Sequence, residues 1–437
     1  MVGTTSTSAG TTARAALRLS SRQVAYHLRR KGRNTLARRF PGAYERRIDQ
    51  IARAVPRLDP AAIDDVGRSM ARAVSPFYVD EYVSSIDDAA RGTFTFFGQR
   101  VKFGGPAAVD WHHQVDAEND FHLWRMKLGH MGVICPMLIV GDDQHLTAVG
   151  ELIGSYRARA SFGTPGCFSS YWFPYSVSHR ILALLAGYVL ATDQGRVADE
   201  LRHDLEEFLA YNVGFLLDNV EHELKNNHVE RNLAALVFYF SCVGEIPARL
   251  RRRLDVEVRK IIHACVLPDG LIVERSAMYQ GLTVMSLDIF ARATLLSHDT
   301  RELARAAHER AVGAWRTMTH PDGEIALFND SWFAEVPRVA SLALPEGEGP
   351  GLLPDAGYAR LESTGVFVLM DAGPIGPTWN PGHGHADFLS IEVDVDGKRL
   401  LVDPGTYQYS SGQRRAFERA ARSHNGPAVP GVEPVDY

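Results

Sequence analysis

The chain is poor in cysteine. Cys135, Cys167, Cys242 and Cys265 are its only four in 437 residues, widely spaced and without a CxxC pair, so neither a thiolate metal site nor a disulfide scaffold is expected. Buried free thiols are the expectation. No excess of charge marks it either: 47 Lys and Arg against 52 Asp and Glu leave a net charge of −5, which is not the footprint of a nucleic-acid binder. An anionic ligand would need a locally basic cleft. No apolar run approaches the roughly 18–20 residues that cross a bilayer, so no transmembrane helix is expected. A secretory leader is not recognisable. The first 47 residues carry eleven Arg or Lys with Glu45 the only acid, and no apolar stretch follows Arg29-Arg30. A frayed tail followed by a basic surface helix is expected there, with a cytoplasmic location by default.

What is present is a folded composition, 45% hydrophobic, 23% charged and 9% aromatic, over a length sufficient for two large domains. From about residue 60 to 345 the apolar spacing is helical, as in Ile181, Leu184, Leu185 and Val189, or Leu201, Leu205, Phe208 and Leu209. One such stripe, Leu233, Leu236, Val237 and Phe240, follows the polar cluster Asn226-Asn227-His228. Another, Val284, Leu287, Ala291 and Leu295, follows Tyr279. Both polar sites therefore sit at helix starts. Pro- and Gly-rich sequence from Leu344 to Gly357 then interrupts the helical regime. Beyond it, Val366 to Met370 is a compact apolar run, and Ile391, Val393 and Val395 alternate with acids up to an Asp396-Gly397 turn, so 390–403 reads as a β-hairpin. The expected organisation is a basic segment at 1–50, a helical domain at 51–345, a linker at 346–357 and an antiparallel β domain at 358–437. About 80 residues are few for two complete sheets, which leaves an abbreviated sandwich or a fragment as the expectation.

The densest chemistry lies in the β part: His383, His385 and Asp387, then Asp403, then His424. Closing the hairpin makes His385 and Asp403 neighbours, with His424 approaching from the next loop. Two nitrogens and one oxygen form an ordinary zinc first shell with water as fourth ligand. His383 and His385 share one side of an extended segment. The plainer alternative is that these histidines only bond loop backbone. In the helical part, an Asn amide beside an imidazole at 226–228 can donate to a carboxylate, whereas an ordinary helix cap would use the same residues. Tyr279, in the segment Asp269 to Tyr279, is alone as readily a packing residue.

Taken in order, FTFFGQRV at 94–101, WFPYSVSHR at 172–180, NNH at 226–228, DGLIVERSAMY at 269–279, FNDS at 328–331 and HGHADFLSIEV from 383 resemble the heparinase II/III-like polysaccharide lyases. The resemblance spans most of residues 90–425. It implies an incomplete α/α toroid followed by an antiparallel β-sandwich-type domain, here shortened. It implies Asn227 and His228 as the group neutralising a substrate carboxylate, with Tyr279 and His383 as catalytic residues. Zinc ligands would be His385, Asp403 and His424. Trp172, Tyr175 and Arg180, together with Glu274 and Arg275, would bind sugar. Such a family suggests a periplasmic or extracellular role, which the N-terminus does not support.

The implied reaction is β-elimination on a uronate-containing glycan. The C5 proton is weakly acidic because the adjacent carboxylate already holds charge, so neutralisation must precede its removal. For Tyr279 to act as a base, positive charge from Arg275 or an imidazolium would be required. Two rival expectations remain. One is a glycoside hydrolase using acids among Asp269, Glu274, Asp330 and Asp387; the other is a glycan-binding protein without catalysis. In each case the partner is an acidic polysaccharide rather than nucleic acid or a membrane.

Overall fold

A computed structural model describes residues 21–115, 122–222, 224–345, 347–379 and 381–434. Residues 1–20 of the basic N-terminal segment lie outside them; residues 21–54 form two helices, Ser21–Arg39 and Pro41–Ala54. Helices fill the chain up to Thr317. Their starts follow local chemistry: side chains of Asp64, Asp142, Asn226, Ser276 and Ser297 each accept a backbone N–H of the first turn. The Pro174–Asp193 helix begins with proline and is buried along nearly its whole length. A helix apolar on every side must be surrounded. It packs against the helices Asp65–Val74, Ile134–Val140, Asp199–Asn219 and Asn227–Ser241, and the last of these leads on to Ala277–Arg292. The four cysteines are buried and free, as expected.

Residues His122–Val140 have the length and apolar character to span a membrane, against the sequence expectation, but 89% of that stretch is buried inside the protein. The chain breaks there into two helices, His122–His130 and Ile134–Val140, with Met131 in a left-handed conformation between them. These are core helices. A small hairpin, β1 (Thr93–Phe96) with β2 (Gln99–Lys102), turns at Phe97-Gly98, both at positive φ.

After the helices comes one antiparallel sheet of five strands, β3 (Leu352–Leu353), β4 (Tyr358–Ser363), β5 (Val366–Asp371), β6 (Ile391–Val395) and β7 (Lys398–Leu401), hydrogen-bonded in chain order. The β6–β7 turn is the Asp396-Gly397 pair read from the sequence, at φ 51 and 73. Strand β3 falls within the stretch read as linker. Register places Leu361, Val366, Val368, Val393 and Val395 on one face, of which Leu361 is 67% exposed. Phe367, Leu369, Glu392 and Asp394 occupy the other face and are buried.

The buried face of the sheet docks on the helices through polar contacts. His320 is enclosed between Glu392, 2.5 Å from its Nε2, and Asp394 at its Nδ1. Glu392 also accepts the Leu327 N–H at 2.7 Å. Asp269 accepts the N–H groups of Asp355 and Ala356 at 2.8 and 2.7 Å, and Arg275 donates to the Ala356 carbonyl at 3.0 Å. A buried polar group unmatched at such a joint would cost about 1–3 kcal/mol.

Deep among the helices the rings of His130 and His179 stack at 4.6 Å, inclined by 10°. Burial, reinforced by neighbouring positive groups, holds both imidazoles well below their ordinary pKa. They are neutral in the fold, whereas the unfolded chain takes up protons below about pH 6.5. Their contribution is therefore complete above that value and is lost as pH falls below it, by at most about 1.4 kcal/mol per pH unit for each ring. Between about pH 7 and pH 5 the thermal midpoint should drop, and His179→Gln should flatten that dependence. Equal slopes for both proteins would refute the assignment.

Candidate active site

Two helix starts and one sheet loop build the site. Asn226 caps the Asn227–Ser241 helix by accepting the His228 N–H at 3.1 Å, and Ser276 caps the Ala277–Arg292 helix by accepting the Tyr279 N–H at 3.2 Å. The cap is thus Asn226, which leaves the Asn227 amide out of the capping. The residue before each cap, Lys225 and Arg275, adopts a left-handed conformation with φ of 48 and 56, uncommon for side chains of this size. Asn329, just before Asp330, does the same at φ 59.

Asn227 is 2% exposed, and both polar atoms of its amide lack a hydrogen-bond partner among the described residues. Its backbone N–H donates to one oxygen of Glu274 at 3.3 Å, and the other oxygen lies 3.4 Å from His383 Nε2. The His383 ring is 4.5 Å from the Tyr279 ring, and the Tyr279 hydroxyl meets that of Tyr409 at 2.6 Å. His228 adjoins this group, 4.7 Å from the Tyr175 ring, with Nδ1 held 3.3 Å from Glu221. Asn227, Tyr279 and His383 are therefore brought together from two helices and the sheet domain, with His228 next to Asn227 on its helix and turned toward Tyr175 and Glu221.

Asp330 organises the far side of His383. Its carboxylate is 2.8 Å from His383 Nδ1 and 2.9 Å from His385 Nε2, accepts the Thr406 hydroxyl at 2.6 Å, and receives a two-pronged contact from Arg415 at 2.6 and 2.8 Å. Burial alone would raise its pKa. Hydrogen bonds from both histidines and the Arg415 charge overcome that and hold it well below the usual carboxylate range. Burial opposes the charged form of His383, but Glu274 and Asp330 outweigh it and raise its pKa above the ordinary imidazole value. Tyr279 is pushed well above the usual phenol value by burial and then by Tyr409, so it stands protonated.

His385, Asp403 and His424 converge, with one ligand atom from each inside a 4.8 Å span. His385 Nδ1 and His424 Nε2 are buried without a partner among the described residues, while the opposite nitrogens bond Asp330 and, at 2.7 Å, Asp403. Imidazoles oriented by a carboxylate on one side and open on the other are suited to a metal. Burial and the nearby Asp403 charge raise the pKa of Asp387 beside them. A cation would relieve that crowding.

Other expected site residues sit elsewhere. Trp172 is 2% exposed, with its indole N–H on the Ala160 carbonyl, and Arg180 is fully buried, donating to the carbonyls of Gly129 and Tyr171 and to Asn212. Both are buried wall residues. Arg275 spends its donors on the carbonyls of Val273, Asp355 and Ala356, so it fastens the two domains rather than gripping substrate. Tyr175 does lie against the site, packed on His228 and His179. Glu274 is the bridge between Asn227 and His383. Tyr409, Thr406 and Arg415 escaped the sequence reading, and Asp330 was weighed only as a hydrolase acid; the FNDS segment was the one available signal for it.

Residues 345–435 match the family model described as heparinase II/III-like, C-terminal. That part of the chain is similar to the C-terminal domain of that family. The crystal structure of heparinase III is similar in fold, with 16% identity over 83% of this chain and a TM-score of 0.59. Toroid followed by β domain is thus the architecture, and this chain spans 62% of that protein's length. A heparan sulfate lyase, HepC, from Pedobacter heparinus aligns at 18% identity, covering 89% of this chain and 64% of its own, with a TM-score of 0.44. No curated protein sequence matches the chain.

Arg415→Ala should destabilise the heparinase-like domain by about 3–5 kcal/mol, the usual cost of leaving one member of a buried ion pair alone. Denaturant unfolding measures this. A loss under about 1 kcal/mol, the range of exposed pairs, would mean that Asp330 does not depend on its arginine.

Proposed function

We propose that this chain is a polysaccharide lyase cleaving uronate-containing glycans by β-elimination. The observation that carries the reading is the buried Asn227 amide, without a partner among the described residues, in the cluster that joins Glu274, Tyr279 and His383. A buried amide with nothing to bond is costly, and a substrate carboxylate is a group it could serve. Asn227 would hold that carboxylate with His228 beside it, and both would stabilise the charge that spreads into it as C5 loses its proton.

The environments of the two rings favour a division of labour. His383 takes the C5 proton in its neutral form, which the raised pKa confines to the alkaline side of its titration, with Glu274 and Asp330 stabilising the imidazolium that results; Tyr279, kept protonated by burial, gives its proton to the departing O4. The C5–H and C4–O4 bonds break, the C4–C5 double bond forms, and return of the proton from His383 to Tyr279 restores the starting state. The Tyr409 hydroxyl is placed to steady the tyrosinate in between. No Arg275 charge is needed, since Tyr279 works as an acid. The hydrolase alternative has less support, because Asp269 is occupied by two backbone N–H groups and Asp330 by two histidines and an arginine.

Tyr279→Phe should lower formation of unsaturated uronate, followed by its ultraviolet absorbance, by at least ~100-fold with thermal stability retained. Wild-type turnover would remove Tyr279 from the mechanism. Polymer shortening without a double bond in the unaltered protein would favour the hydrolase.

Zinc suits the donor set of His385, Asp403 and His424. When bound it would neutralise the crowded carboxylates and fix the loop that carries His383. Removing it with a chelator should lower the melting temperature, with recovery on adding zinc, and Asp403→Asn should abolish the response. A protein that takes up no zinc and melts unchanged would exclude the site.

A further inference from the structure

Beside the catalytic cluster lies a second concavity of about 820 Å³, inside the roughly 300–1,000 Å³ range of small-molecule sites. Three parts of the chain meet around it: the β1–β2 turn with Phe97, the loop after Asp330 with Trp332 and Phe333, and the C-terminal stretch from Pro404 to Arg422. Five of its eleven lining residues are aromatic. Phe97 packs edge-on against Trp332 at 5.8 Å and Tyr407 at 6.5 Å, while Phe333 and Phe417 are 45% and 51% exposed. Large aromatic side chains left this open around one cleft indicate a ligand rather than ordinary surface.

Cations accompany the rings. The Arg414 guanidinium lies 3.8 Å from the centre of the Tyr407 ring, and Arg422 lies 5.6 Å from that of Phe417. The one acid lining the cleft, Glu418, is buried and bonded to Arg414 at 3.0 Å. Arg422 therefore leaves a net positive charge at the rim. Flat apolar faces suit the C–H face of a pyranose, and a planar guanidinium suits a carboxylate or sulfate.

The cleft borders the catalytic residues through shared side chains. Thr406 lines it and donates its hydroxyl to Asp330, and the Trp332 ring stands 5.8 Å from that of Tyr409. We infer that this cleft is a sugar subsite, holding acidic residues of the polymer next to the one whose bond is broken. This rests on the lyase reading for its substrate, but not for its test. The occupant is an anionic pyranose chain; a peptide or nucleic acid would not require the saccharide selectivity tested below.

The test is affinity electrophoresis of the Tyr279→Phe protein through gels containing heparan sulfate, hyaluronan, alginate or polyglucuronate, with neutral pullulan as control. Phe417→Ala combined with Arg422→Ala, both exposed and outside the catalytic cluster, should weaken retardation by about tenfold, a change of about 1.4 kcal/mol. In otherwise unaltered protein the same pair should raise KM by a similar factor with kcat largely kept. Retardation by an acidic polymer that the double variant shares in full overturns the subsite alone. Retardation by pullulan as strong as by the acidic polymers also overturns it, and retardation by none of them overturns subsite and lyase together. Selective retardation that the double variant loses, without any unsaturated product from the unaltered protein, keeps the subsite and discards the lyase.

Discussion

A single buried carboxylate holds this molecule in order. Asp330 comes from the helical part of the chain, yet its partners His383, His385, Thr406 and Arg415 all come from the C-terminal part. A carboxylate removed from water without compensation would cost several kcal/mol, so these partners must arrive together and keep their places. The same four contacts orient the imidazoles of His383 and His385 and seat the sheet domain on the helices. Fold and site share one electrostatic requirement.

Docking of the two parts is accordingly polar rather than oily. The alternation of Ile391, Val393 and Val395 with Glu392 and Asp394 correctly marks a strand, but the acids turn inward. His320, Arg399 and the Leu327 N–H await them there, while the aliphatic side faces outward. Period-two patterning gives a strand and its two faces; which face is buried depends on what stands opposite, and two of the three groups there, His320 and Leu327, lie 65 to 74 positions away.

Much of the site could be read from local sequence because it is built from helix starts and a tight hairpin. Polar residues just ahead of apolar stripes placed Asn227 and Tyr279 at the mouths of helices, and Asp396-Gly397 closed the hairpin that carries His385 toward Asp403. What could not be read depended on distant partners. Trp172 and Arg180 have the residue types of a sugar surface, but whether a guanidinium meets solvent or three carbonyl groups is decided by the fold. Tyr409 and Arg415 lie in an Arg- and Tyr-rich tail without periodicity, so nothing local distinguished them from surface residues.

Lys225, Arg275 and Asn329 each hold a left-handed backbone immediately ahead of a residue the site depends on. For residues other than glycine this costs roughly 1 kcal/mol apiece, and glycine would release it. Release would also widen the range of directions in which Asn227, Tyr279 and Asp330 can point. At Lys225 a search for thermostable variants would trade sturdiness against aim, whereas Arg275 and Asn329 also anchor the chain through their side chains, so that glycine there would loosen both.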